Sequence, residues 1–163
     1  CLTGLPAYFS KDEVPREDFE LACMASASMP AFSDMVRIRG VPYLDGGCAD
    51  KIPYAWALAA GFEKIIVVRT RPADYRKTGK PKRVKYPAYP LLAAQLAGSD
   101  ARYNRQCQEL EALEQAGRLV VISPSVDLQV TRLEGDMEKL GRLYWMGNRD
   151  ANAQLERLRA YLV

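Results

Sequence analysis

The residues best suited to chemistry are a carboxylate and two glycines that follow a short apolar stretch. They read Tyr43-Leu-Asp-Gly-Gly47, which predicts that Asp45 lies at the end of a strand. In open α/β sheets, binding sites gather at the carboxyl ends of strands. A carboxylate there is rigidly held yet reachable from a crevice, while Gly46 and Gly47 allow a sharp turn and leave room for a substrate. The alternative is a purely structural turn, because Asp-Gly is also a common turn sequence.

A second candidate is the basic segment between Arg69 and Lys85. Its eight basic residues against one acid give +7, whereas the whole chain is only +3. The surrounding proline and glycine predict a long loop over about 70–90. One interpretation is contact with anionic lipid headgroups, where each basic residue adds about 1 kcal/mol. The alternative is a solvated surface loop; nucleic acid is not expected, since no aromatic platform accompanies the charge. The basic residues are Arg69, Arg71, Arg76, Lys77, Lys80, Lys82, Arg83 and Lys85.

Composition narrows the classes of chemistry. The chain has no histidine, which excludes a Ser-His-Asp triad and histidine zinc sites within it. Its four cysteines, Cys1, Cys23, Cys48 and Cys107, have spacings that fit no metal or redox motif and are typical of buried, reduced thiols. No apolar stretch reaches the about 18 residues that a membrane span requires. We therefore expect a cytoplasmic protein without metal or cofactor, which meets membranes peripherally if the basic segment binds lipid.

Local patterns predict alternating helices and strands. Two runs of β-branched residues without alternation, 64–68 and 119–122, predict strands buried on both faces of a parallel sheet. A glycine at position 40 favours a hairpin between 35–38 and 41–44. Pro53 and Gly61 suit the two ends of a helix. We further expect a short strand at 5–10 and helices at 15–25, 99–117 and 136–162.

The predicted last helix carries one apolar stripe. Its members recur at alternating steps of three and four, which places them on a single helical face. Core packing is the simplest interpretation of such a stripe. The residues are Leu140, Tyr144, Gly147, Ala151, Leu155, Leu158 and Leu162.

Taken in order, four motifs resemble the C-terminal half of the patatin-like phospholipases. The preceding Thr3-Gly-Leu-Pro-Ala-Tyr-Phe9 is also similar to bacterial members of that family. The similarity extends over about 1–70 and continues less specifically from Arg102 to the C-terminus. The motifs are Ala25-Ser-Ala-Ser-Met-Pro30, Tyr43-Leu-Asp-Gly-Gly47, Ile52-Pro53 and Gly61-Phe-Glu-Lys-Ile-Ile-Val-Val68.

The resemblance implies a serine–aspartate dyad, with Asp45 in the place of the family's aspartate. That aspartate takes the proton of a serine hydroxyl directly, and the serine attacks an ester carbonyl to form an acyl-enzyme. The resemblance also implies an α/β fold, namely a partial three-layer patatin-like fold with a mostly parallel, buried sheet and flanking helices. Gly46 and Gly47 would shape the site.

The nucleophile of this family stands in Gly-x-Ser-x-Gly, and this chain contains no such motif. The nearest stretch, Gly98-Ser-Asp100, lacks both outer glycines, and the glycine-rich oxyanion segment is missing as well. Because Cys1 replaces the usual initial methionine, we expect an upstream part that holds the serine. We predict that the chain alone is inactive.

The sequence divides into a motif-bearing region at 1–70, a basic loop at 71–90 and a helical tail with one strand at 91–163. The expected partners are an acyl lipid or ester substrate, the missing N-terminal part of the same domain and a membrane surface. Self-association is a further expectation, because strand 64–68 would expose an edge without its upstream neighbours. The alternative function is a non-catalytic α/β binding or interaction module with a basic surface loop.

Overall fold

The structure is a computed structural model that describes residues 1–79, 86–131 and 133–163. The chain forms two compact units. Unit 1 comprises Cys1–Pro53 and Lys77–Asn104, and unit 2 comprises Tyr54–Arg76 and Arg105–Val163. The predicted segments at 1–70, 71–90 and 91–163 differ from these units and remain a prediction about domain organisation.

Unit 1 contains a helix, a hairpin and a second helical region. Helix α1 (Arg16–Ser26) starts after Pro15 and carries two acids in its first turn, as the sequence predicts. Strands β1 (Val36–Ile38) and β2 (Val41–Tyr43) pair antiparallel around Gly40, which confirms the hairpin. A 3₁₀ turn at Gly46–Cys48 follows β2.

The remaining elements follow from residue 54 onward. Helix α2 ends before Gly61, whose positive φ of 83° suits a helix C-terminus. The elements are α2 (Tyr54–Ala59), β3 (Ile66–Val68), α3 (Pro90–Ala97), α4 (Ser99–Gln115), β4 (Val120–Ile122), α5 (Met137–Asn152) and α6 (Leu155–Leu162).

The core of unit 1 surrounds the turn after β2. Leu44, Cys48 and Leu92 form a buried cluster, so α3 packs directly against the residues that flank Asp45. Gly4, in the N-terminal segment, lies against the same helix with φ +70°, and a Cβ at this position would be 2.9 Å from the Leu91 carbonyl oxygen. The N-terminal segment therefore depends on a glycine at position 4 for its close approach to α3.

The parallel sheet is smaller and more exposed than predicted. Strands β3 and β4 pair in parallel, with Ile66 opposite Val120, which confirms the parallel arrangement and a mixed α/β fold. However, Ile66 and Val68 are 40% and 70% exposed, so the prediction of a strand buried on both faces is wrong for β3. Side chains alternate along a strand, so Ile66 and Val68 lie on the same face of β3, and their exposure shows that this face is uncovered in the described part of the chain.

Two other predictions are wrong. Residues 5–10 form no strand. The helix predicted at 136–162 is two helices, α5 and α6, interrupted at Ala153 and Gln154. Its apolar stripe is not a core stripe, because Tyr144 is 65% exposed and the buried residue of α5 is Met146, on a different face.

The structure also bears on the expectations about thiol burial, membrane-spanning helices and metal sites. Cys48 and Cys107 are buried thiols, whereas Cys23 is exposed, so the prediction of buried thiols holds for only part of the set. Across the described ranges, every helix is too short or too polar to cross a bilayer. No cluster of acids and cysteines within those ranges could hold a metal ion.

Candidate functional site

Asp45 lies two residues beyond the end of β2, where the chain turns. Its backbone N–H donates to the Ser28 carbonyl oxygen at 2.9 Å. This bond joins the Ala-Ser motif to the Asp-Gly-Gly motif, which are separate in the sequence. The Ser28 hydroxyl donates to the Met24 carbonyl oxygen at 2.9 Å, so this serine connects the end of α1 to the turn.

One carboxylate oxygen of Asp45 is hydrogen-bonded within its own turn. Oδ1 accepts a hydrogen bond from the Gly47 N–H at 2.8 Å, and the backbone carbonyl oxygen of Asp45 accepts one from the Cys48 N–H at 3.0 Å. Among the residues that the structure describes, no donor reaches Oδ2. Asp45 thus combines an Asx turn, which fixes one oxygen, with a second oxygen that can accept a proton.

A crevice of about 100 Å³ opens beside this carboxylate. Apolar groups from the N-terminal segment, from α1 and from β2 contribute to its wall, and the partly exposed Asp45 side chain is its acid. A small, mostly apolar crevice with one carboxylate suits the reacting end of an ester. The lining includes Leu5, Phe9, Ala25, Ser26, Tyr43 and Asp45.

The two glycines after Asp45 have different surroundings. A Cβ at Gly46 would have no neighbour within 4 Å, so this position faces open space. A Cβ at Gly47 would lie 3.1 Å from Asp45 Oδ1. The missing side chain at Gly47 therefore leaves room for the Asp45 carboxylate, and the missing side chain at Gly46 leaves open space beside the turn.

Two neighbouring groups complete the turn. The Asp50 N–H donates to the Gly46 carbonyl oxygen at 2.9 Å, and Asp50 Oδ2 accepts from the Tyr8 hydroxyl at 2.5 Å. Burial and this carboxylate raise the pKa of Tyr8 above its ordinary value, so Tyr8 is a neutral donor. The bond fastens the N-terminal segment to the end of the turn.

Cys48, three residues after Asp45, is a potential nucleophile, but it is not an activated one. Burial, and then the negative charge of Asp45, raise the pKa of the Cys48 thiol. A raised thiol pKa leaves less thiolate at neutral pH, and thiolate is the reactive form. Cys48 is therefore a packing residue beneath the turn.

The Asp45 turn lies within a segment whose sequence matches a protein family. Residues 2–58 match the family described as patatin-like phospholipase. Over these residues the chain is similar to that family, and we call 2–58 the patatin-like segment. Residues 89–163 match a second family, described as a domain of unknown function, DUF6363. No curated protein matches the chain.

The patatin-like segment contains the full Asp45 turn and most of the crevice, whereas α3 belongs to the DUF6363 match. The patatin-like phospholipases are lipid acyl hydrolases in general. The family match therefore agrees with the class of chemistry that a carboxylate beside an apolar crevice can perform.

The members of the basic segment that the structure describes make contacts within the protein. Arg69 is only 7% exposed and donates to the Cys107 sulfur at 3.3 Å. Arg71 pairs with Asp127 at 2.8 Å. These positions do not support a headgroup contact by Arg69, and they give Arg71 a structural partner.

Two further members of the set are also paired. Arg76 pairs with Glu111, and Lys77 pairs with Asp100 at 3.6 Å while its ammonium lies over the Tyr103 ring. Lipid contact by the basic segment remains a prediction. Four of its members, Lys80, Lys82, Arg83 and Lys85, lie outside the described residues.

Sequence reasoning missed one residue that supports the patatin-like turn. Arg102 on α4 donates from one terminal nitrogen to the Cys48 carbonyl oxygen at 2.9 Å and to the Gln95 carbonyl oxygen at 2.7 Å. Nothing in the local sequence connects position 102 to position 48, since they are 54 residues apart. The less specific similarity to the patatin-like phospholipases that begins at Arg102 was the only signal in the sequence, and it assigned no role to Arg102.

Proposed function

We propose that this chain is the C-terminal portion of a patatin-like serine lipid acyl hydrolase that cleaves carboxylic ester bonds of acyl lipids. Asp45 is its general base. The observation that carries the proposal is the divided carboxylate: Oδ1 is held by the Gly47 N–H, while Oδ2 has no donor among residues 1–79, 86–131 and 133–163. A base needs a fixed orientation and an oxygen that remains able to accept a proton.

The reaction follows from that arrangement. A serine hydroxyl gives its proton to Asp45 as its oxygen attacks the ester carbonyl carbon. The tetrahedral intermediate collapses, the ester C–O bond breaks, and the departing alkoxide takes the proton back from Asp45. Water then attacks the acyl-serine while Asp45 accepts one of its protons. The bond between the acyl carbon and the serine oxygen breaks, that oxygen takes the proton back from Asp45, and the fatty acid is released.

The serine of this dyad is expected upstream of the present chain. The serines near Asp45 are poor candidates: the Ser28 hydroxyl is committed to the Met24 carbonyl oxygen, and Ser28 is 8% exposed. Ser99, in the stretch nearest to the family motif, is 3% exposed and lies beside Asp100. Ser26 lines the crevice but lacks the glycines that expose a nucleophile on a sharp turn.

The second candidate is a non-catalytic α/β binding or interaction module. The observation in its favour is the same Oδ1 bond, because an Asx turn is a sufficient structural reason for an aspartate at this position. The two candidates differ over Oδ2. Only the hydrolase requires a proton acceptor there.

We expect the 163-residue chain alone to show no turnover of a short-chain p-nitrophenyl ester, because it lacks both the nucleophile and the oxyanion donors. Loss of one oxyanion donor alone costs about 10²–10³ in rate. The full-length protein assayed in parallel is expected to turn over the same ester. Turnover by the isolated chain that disappears in Asp45→Asn would show that the nucleophile lies within these residues.

A further inference from the structure

The Asp45 turn is held from outside the patatin-like segment. Arg102, in the part of α4 that belongs to unit 1, donates to the Cys48 carbonyl oxygen at 2.9 Å. The same nitrogen donates to the Gln95 carbonyl oxygen at 2.7 Å. One guanidinium nitrogen therefore ties the last residue of the 3₁₀ turn to α3.

A short series of bonds connects this guanidinium to the proposed base. Arg102 fixes the Cys48 carbonyl group, and the Cys48 N–H donates to the Asp45 carbonyl oxygen at 3.0 Å. Within the same turn, the Gly47 N–H holds Asp45 Oδ1 at 2.8 Å. Movement of the Cys48 carbonyl group would thus move the amides that orient the carboxylate.

Apolar packing also connects α3 to the Asp45 turn. Leu92 of α3 is buried against Leu44 and Cys48, the residues on either side of the Asp-Gly-Gly motif. Both Leu92 and Arg102 lie in the segment that matches DUF6363, whereas Asp45 lies in the segment that matches the patatin-like family. The two family matches meet within unit 1.

We infer that Arg102 is a positioning residue for the Asp45 base, supplied to the patatin-like active site by the DUF6363 segment. This inference rests on the proposed function, because it assigns Arg102 to the same site. Arg102 does not touch the reacting atoms. It sets where the 3₁₀ turn presents the Asp45 carboxylate.

The chemistry of the side chain explains why an arginine suits this task. A guanidinium remains charged at all ordinary pH values and presents its donors in a rigid plane, so it can satisfy two carbonyl oxygens in fixed directions. Charge-assisted bonds of this kind are stronger than neutral ones. A lysine keeps the charge and a donor nitrogen but not the planar geometry, and a methionine keeps only the apolar stem.

The test compares four variants of the full-length protein: Arg102→Met, Arg102→Lys, Arg105→Met and Asp45→Asn. Arg105 is exposed on the same helix, so Arg105→Met is the matched control. We expect Arg102→Met to lower kcat about tenfold with KM changed less than about twofold, since a displacement of about 1 Å can cost about 10²-fold. Arg102→Lys should retain more activity than Arg102→Met, and Arg105→Met should match the parent.

Amide hydrogen exchange provides a second readout that needs no catalysis. In the full-length protein, Arg102→Met is expected to speed exchange at the Gly47 and Cys48 amides, while Arg105→Met leaves those amides unchanged. If Arg102→Met does not fold, the same comparison is made with Arg102→Lys.

The outcomes separate the two claims. Equal kcat values for both Arg102 variants and Arg105→Met, with Asp45→Asn inactive, would overturn the role of Arg102 and leave the proposed function standing. Full activity of Asp45→Asn would overturn the proposed function itself. Unchanged exchange at both amides in the Arg102 variants would overturn the mechanical part of the inference, whatever the kinetics.

Discussion

Asp45→Asn will lower kcat for ester hydrolysis by the full-length protein about 10²–10⁴-fold, which is the usual contribution of a positioned general base. An asparagine at this position retains an oxygen that can accept the hydrogen bond from the Gly47 N–H, so the turn is expected to persist. What is lost is the ability to take a proton from the serine hydroxyl. The measurement is kcat for a p-nitrophenyl ester, with circular dichroism as the check on folding.

Asp50→Asn is the matched control for this substitution. Asp50 lies five residues further on, is partly buried like Asp45 and accepts a hydrogen bond from the Tyr8 hydroxyl. An amide oxygen can accept that bond as well, so the substitution removes only its charge assistance, and we expect kcat within about threefold of the parent. A folded Asp45→Asn protein as active as Asp50→Asn would exclude Asp45 as the base.

Leu92→Ala is expected to have the largest effect on stability. Leu92 is 3% exposed and packs against Leu44 and Cys48. Truncation of a buried leucine to alanine costs about 2–5 kcal/mol, because it removes apolar contact and leaves a cavity. In a chain of this length, that cost corresponds to a fall of about 5–15 °C in the midpoint of thermal unfolding.

The adjacent residue supplies the control. Leu91 belongs to the same helix and is 53% exposed, so Leu91→Ala is expected to change the free energy of unfolding by no more than about 0.5 kcal/mol. Thermal melts of both variants, followed by circular dichroism, give the comparison. Equal midpoints for Leu92→Ala and Leu91→Ala would mean that the cluster beneath the Asp45 turn contributes little to stability.

Elements with strong local signals could be predicted from the sequence. Helix α1 and the β1–β2 hairpin form where the sequence places them, because Pro15 suits a helix start and Gly40 can adopt the positive φ of 81° that the hairpin turn requires. The parallel pairing of β3 and β4 also followed from their β-branched runs. For α1 and the hairpin, information within a few residues was sufficient, whereas the parallel pairing followed from two separate runs with a helix between them.

Predictions failed where the outcome depends on neighbours. The composition of β3 indicates burial on both faces, but burial requires other strands and helices, and Val68 is 70% exposed. The stripe along 136–162 assumed one continuous helix. The helix instead ends at Asn152, and Tyr144 in α5 and Leu155 in α6 are 65% and 40% exposed, because burial of an apolar stripe requires a facing element that the helix sequence does not specify.

In the candidate site, too, features with a local sequence signal could be predicted and contacts between distant residues could not. The motif order predicts Asp45 and its two glycines as the site, and this assignment stays a prediction; the structure shows that Asp45 and Gly46 line a crevice. Sequence could not show which carboxylate oxygen is held, because that depends on the turn geometry at Gly47. It also could not show that Arg69 is buried against Cys107 or that Arg102 reaches Cys48, since both contacts join residues far apart in the chain.

The central claim is that Asp45 activates a serine encoded upstream of the present first residue. The most direct measurement is to treat the full-length protein with a fluorophosphonate, which reacts with activated serines, and to locate the adduct by peptide mass spectrometry. The account predicts one adduct, on a serine outside these 163 residues within Gly-x-Ser-x-Gly, and strongly reduced labelling in Asp45→Asn. An adduct on Ser26 or Ser28, or equal labelling in Asp45→Asn, would contradict it.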